Sequence, residues 1–107
     1  MILISKYLVP RGYTGFAVFP MIILKHISNK DNKVLINHEK IHLRQQLEML
    51  VVFFYIWYLV EFFLRLLQYK TWFDAYRHIS FEKEAYNNEK DLDYLESRSF
   101  WAFRKYI

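Results

Sequence analysis

Short apolar runs broken by turn formers open the chain; from residue 34 onward they give way to one long apolar-rich stretch that nothing interrupts. Residues 2–9 read as a short strand, and the Pro10, Gly12 and Gly15 cluster as a turn. Residues 16–27 are apolar and rich in β-formers but contain Pro20, which predicts an edge strand or two shorter extended pieces. Residues 28–33 form a polar connector in which Asp31 or Asn32 is placed to cap a helix. Between 34 and 68 there is neither Gly nor Pro, so the pattern alone permits one helix of about 50 Å at 1.5 Å per residue. Thr71 followed by Asp74 matches an acidic capping box and predicts a short helix through Tyr76 to His78. Ser80 then reads as the N-cap of a further helix reaching about Leu95, with Glu82 and Glu84 in its first turn. The expected fold is α+β and mainly α: one domain over 1–107, with an N-terminal extended hairpin packed on three or four helices.

The second feature of the long stretch is its apolarity. Of the 21 residues 47–67, 18 are apolar, the exceptions being Glu48, Glu61 and Arg65. By length this could span a bilayer, although the longest unbroken run, residues 49–60, is of the size found in buried or interfacial helices. Glu61 and Arg65 stand four apart and can pair. A single span would put His38 and His42 on one side of the membrane and everything after Gln68 on the other, which is incompatible with a site built from both halves.

Composition narrows the classes. A hydrophobic share of 54% excludes a disordered chain. Net charge is +4, but the basic residues are scattered, so no nucleic-acid partner is expected, and the excess suits solubility or an anionic membrane surface better than base reading. With no cysteine there can be no disulfide framework or thiolate site, and any metal must rest on His and carboxylate. No signal peptide is read at the N-terminus. The expected location is the cytoplasm, with peripheral contact at the inner face of the membrane; oligomeric state stays open.

The strongest chemical signal is His38-Glu39-Lys40-Ile41-His42, at the start of the long helical pattern. Residues four apart share a helix face, so two imidazoles can close on one ion. Glu39 is turned about 100° from His38, poor as a ligand but placed to take a proton from a metal-activated water. A catalytic zinc site needs a third protein ligand. Glu48 and Glu61 belong to the same helical pattern and cannot curl back, and Asp74 is engaged as a cap. That leaves the segment holding Glu82 and Glu84. Glu82 shares a face with Ala85, whose small side chain allows close helix packing; Glu84 points about 160° away and reads as solvated, remaining the alternative third ligand.

His38-Glu39-x-x-His42-x-x-Gln45-Gln46, followed forty residues later by Glu82-x-x-Ala85, resembles the gluzincin-type zinc metallopeptidases, closest to small zincin-like domains with His-Glu-x-x-His-x-x-Gln. The resemblance runs from about Phe16 to Glu89. It implies one zinc per chain held by His38, His42 and Glu82, with Glu39 as general base and a peptide or protein as substrate. Many gluzincins carry Asp directly after the Ala, where it steadies a ligand His; here Tyr86 stands there, so that support must come from Asn37, Glu89, a backbone carbonyl or Tyr86 itself. At least one of Gln45 and Gln46 is expected to line the cleft, both being candidates to support a ligand or contact the transition state, as is His78. The favoured expectation is a zinc peptidase. The alternatives are an inactive zinc-binding module and a small membrane-associated protein with a chance pentad. If Glu82 is to meet the His pair, the long helix must end or bend between about Leu50 and Tyr58.

Overall fold

The computed structural model describes residues 2–10 and 12–107; Arg11, inside the predicted turn, and Met1 lie outside the described residues. Three short strands lead the chain: β1 (Ile2–Ile4), β2 (Gly15–Val18) and β3 (Met21–Leu24). Residues 16–27 thus form two pieces, which pair as an antiparallel hairpin turning at Phe19 and Pro20, with Phe16 opposite Ile23. β1 adds in parallel on the other side of β3, giving the order β1-β3-β2 and leaving β2 at an edge. The predicted first strand is shorter than expected, since beyond the Ser5 N–H bond to the Leu24 carbonyl it leaves β3.

Among the described residues a 3-10 turn at Ile27–Asp31 and five α-helices follow, α1 (Lys33–Glu48), α2 (Val52–Tyr69), α3 (Trp72–Arg77), α4 (Ser80–Asn88) and α5 (Tyr94–Ser97), and then a 3-10 turn at Ala102–Tyr106. The α+β, mainly helical class expected from sequence is what the chain adopts, with the sheet packed on helices. Asn32 caps α1 by accepting the Leu35 N–H, and Thr71 caps α3 by accepting that of Asp74.

The stretch 34–68 is not one helix. α1 stops at Glu48 and α2 starts at Val52, and between them Leu50 and Val51 take φ of 56° and 59°. Positive φ is unfavourable for any side chain with a Cβ and most of all for a β-branched one. Two contacts hold the corner. Arg98 grips the Glu48 carboxylate at 2.6 Å, and Met49 and Phe54 pack with Ile79, Phe81 and Phe103 in the core. The bend falls at the near end of the predicted window.

α4 differs from expectation at both ends. Ile79, not Ser80, is its N-cap residue, because the Ser80 hydroxyl is turned to the Glu61 carboxylate, which also accepts the Ser80 N–H at 3.0 Å. It ends at Asn88 rather than Leu95, because the Asn37 amide binds the carbonyls of Asn88, Glu89 and Asp91 and draws the chain into a turn. Among the described residues one helix, α2, is long and apolar enough to cross a membrane, yet only 11% of its most apolar window is buried.

Candidate metal centre

α1 carries His38 and His42 on the face turned towards α4, with Glu39 beside them lining the adjoining cleft, and all three are buried. α4 presents Glu82 opposite them, one turn from Ala85, which is fully buried and lets the two helices approach. Glu82 Oε1 lies 3.3 Å from His38 Nε2 and 3.0 Å from His42 Nε2, and the two Nε2 atoms are 3.2 Å apart. A tetrahedral zinc with ligands at about 2.0–2.1 Å holds neighbouring ligand atoms about 3.3 Å apart. The triangle of donors therefore has the edge lengths of a metal site, and the three residues form a group that could hold a metal ion.

Each ligand is oriented by a further partner. His38 Nδ1 meets Glu89 Oε1 at 3.0 Å, and His42 Nδ1 meets Gln45 Oε1 at 2.8 Å. The second carboxylate oxygen of Glu82 accepts the Tyr58 hydroxyl at 2.7 Å. Such contacts fix the ring orientation and tautomer of a ligating imidazole. Glu89, one of the candidates for the missing Asp, takes that role. Tyr86 instead packs its ring on the edge of His38, with centroids 4.4 Å apart, and pairs its hydroxyl with Tyr76 at 2.9 Å. Asn37 acts one step further out, holding the turn from which Glu89 reaches back.

Charge in the pocket follows from burial and proximity. Burial alone would lower the pKa of His42, but the Glu82 carboxylate outweighs it and pushes the imidazole up to about 9. Burial would likewise raise Glu82, and the facing imidazoles instead hold it well below the usual carboxylate range. Glu39 goes the other way: burial raises it, only partly opposed by His42 and His38. In the metal-free protein a proton on His42 thus does electrostatically what a cation would do among the three ligands.

Two sequence expectations are corrected here. Glu84 is neither solvated nor a ligand. It is fully buried and bound by Gln45, Tyr94 and Arg98, and these partners hold its pKa down although burial acts to raise it. His78 is not at the centre: it terminates α3, stacks on Tyr69 at 3.9 Å and bonds the Asp74 carbonyl. Gln46 is at the cleft as expected, tying α1 to β2 through the Ala17 carbonyl and the Phe19 N–H. Tyr58 was not foreseen, because nothing in the α2 pattern distinguishes one inward tyrosine from the aromatics around it.

The centre opens onto a cleft of about 730 Å³ running between β2 and α2. His38, Glu39, His42 and Glu82 lie at its base, and Phe16, Val18, Tyr55, Leu59 and Phe62 are among its mostly apolar walls. The three candidate donors thus lie beside an open cleft rather than in a closed pocket. No protein-family model, curated protein or solved structure matches the chain.

Proposed function

We propose that the protein is a zinc-dependent peptidase of gluzincin type. The observation that carries this reading is the convergence of His38, His42 and Glu82 at 3.0–3.3 Å on the floor of an open cleft that Glu39 also lines. His38 Nε2, His42 Nε2 and a Glu82 oxygen would hold the ion. When bound, zinc would supply Lewis acidity, polarising a carbonyl and acidifying water. Glu39, with its raised proton affinity, is suited to accept the proton of the attacking water. It then passes that proton to the leaving nitrogen as the C–N bond breaks, leaving a carboxylic acid and an amine. Tyr76 lines the same cleft and, with its pKa raised by burial and by Glu82, stays protonated as a donor for the substrate carbonyl oxygen.

An extended peptide would lie along β2, whose outward carbonyl at Ala17 already accepts from Gln46 and Tyr55, so new pairing starts from the Gly15 end. We infer a location in the cytoplasm at the inner face of the membrane, with which the cysteine-free composition and the net charge of +4 are compatible. The test is zinc content and peptide hydrolysis for the wild type and Glu39→Gln. Stoichiometric zinc in both, with turnover lost by about 10²–10⁴ in the variant, is the expected result. Zinc in both with turnover in neither would make the centre an inactive zinc-binding module, and no zinc in either would remove the reading.

A further inference from the structure

We propose that the outer face of α2 seats the protein on a lipid bilayer, and that the cleft walled by this helix takes apolar polypeptide segments presented at that surface. At 100° per residue, Phe54, Tyr58, Glu61 and Arg65 fall in one sector of α2, and this sector faces the protein. It contains both of the helix's charged residues, with Glu61 buried against Ser80, Trp57 and Arg65. The rest of the circumference, an arc of roughly 200°, is apolar and exposed, including Val52, Phe53, Ile56, Val60, Phe63 and Leu67. A helix in water shows the reverse: an apolar stripe of about 100° turned inward and a charged face outward. Charges directed into the protein and hydrocarbon directed outward are the pattern of a helix in contact with lipid.

The arc also decides between occupants. One partner helix, or the same helix of a second copy, covers a stripe and leaves the flanks in water; an arc of this width needs a medium that wraps it. Protein interfaces also keep a polar rim, whereas Gln68 is the only uncharged polar amide on α2. The bordering elements supply basic charge instead. Lys70 is exposed at the C-terminal end of α2, and Trp57 packs on Phe103 of the terminal 3-10 turn, whose Arg104 and Lys105 are exposed. No acidic side chain is exposed on α2, so the face suits an anionic leaflet. The helix lies along that leaflet rather than through it, because the chain after it returns to put Glu82 on the His pair and its hairpin tip exposes Lys70, Thr71 and Asp74. Tyr55, Leu59 and Trp72 are exposed on this side and also line the cleft, so the mouth of the cleft and the lipid face share a wall.

The bilayer seat stands independently; that the cleft processes peptide rests on the peptidase reading. The full chain, purified in mild detergent and diluted, is floated with vesicles of phosphatidylcholine with and without phosphatidylglycerol. The wild type should float, more strongly with the anionic lipid. The double variant Ile56→Lys/Phe63→Lys, whose two sites are exposed and outside the cleft, should lose at least about tenfold in partitioning while keeping wild-type zinc content. A wild type that remains soluble and unbound, or a variant that floats equally well, overturns the seat. So does a wild-type dimer that the variant converts to monomer while neither floats, which would assign the face to a second copy. For the peptide half, one apolar peptide is compared tethered to vesicles and free in solution. The variant should cleave the free form at the wild-type rate and lose the tethered form in step with flotation. Equal cleavage of the tethered form overturns the coupling. A protein that floats but holds no zinc overturns the peptidase reading and the peptide half with it, and leaves the bilayer seat standing.

Discussion

Tyr58 and Leu59 are neighbours in α2 with opposite surroundings. Tyr58 donates its hydroxyl to Glu82 and packs its ring against the buried core around Phe54 and Phe81, whereas Leu59 is 55% exposed at the lip of the cleft. The same contrast holds for whole regions. The centre of the molecule gathers His38, Glu39, His42, Gln45, Gln46, Glu82 and Glu84 below 7% exposure, while Phe63 at 58% and Leu67 at 78% lie on the outside. Buried polar groups persist only where each finds a partner, and here the hydrogen bonds that satisfy them also orient the ligands. Exposed apolar groups persist without penalty only where the surrounding medium is itself apolar. Stability in the first region is thus a matter of geometry, in the second a matter of solvent.

Substitutions that break this contrast should differ in size. His42→Ala removes one of three ligands and should abolish stoichiometric zinc binding, measured by metal analysis after gel filtration. Glu61→Ala strands the Ser80 N–H and the partly buried Arg65, and should cost on the order of 3 kcal/mol in denaturant unfolding. Glu89→Gln leaves all three ligands but weakens the support of His38, and should lower zinc affinity by about 10–100-fold in competition with a chelator. The smallest effect is expected outside. Phe63→Ser, at a side chain already exposed, should shift unfolding in aqueous buffer by no more than about 0.5 kcal/mol; a large loss there would mean that the face is packed after all.

The pocket also gives a pH signature with opposite signs for the two forms. In the metal-free protein His42 titrates near 9 instead of its ordinary 6.5, so its pairing with Glu82 contributes fully below about pH 6.5 and is lost as pH rises towards 9. The lowered Glu82 contributes above its ordinary 4.5 and is lost only as acid reprotonates it. Thermal midpoints of the metal-free form should therefore fall between pH 6.5 and 9. Zinc must displace the His42 proton, so its affinity should rise across that same window. Calorimetry in two buffers of different ionisation enthalpy counts the released proton, and an affinity independent of pH in this range would show that His42 is already neutral.

The pentad was legible because its information is local: a spacing of four on a helix is enough to bring two imidazoles together. Glu82 was legible as one of two candidates, since neighbouring Ala85 marked a close-packed face, but Glu84 could be separated from it only by seeing Arg98 and Tyr94 arrive from the C-terminal region. The break between α1 and α2 had to be inferred from what the site required. Leu50 and Val51 carry no breaker signal, and the contacts that hold them, from Arg98 and Phe103, come from about fifty residues further on. Tyr58 and the outer face of α2 were hidden for a related reason. Composition shows that a segment is apolar, but only the neighbouring elements show which of its sides is turned in.

The corner at Leu50 and Val51 has a consequence for how the site is assembled. Gly or Pro would break a helix wherever the rest of the chain happened to be; Leu and Val would not, and each holds its positive φ at an expense of about 1–3 kcal/mol. Left to local preference, residues 33–69 would straighten into a rod and carry α4 away from the His pair. The angle is therefore imposed from outside the corner, by Arg98 on Glu48 and by whatever bridges α1 to α4. An ion bound to His38, His42 and Glu82 would be such a bridge, and because it would fit only the bent chain, mass action would make it a clasp on the hinge. Removing it would be felt first as a loosened elbow.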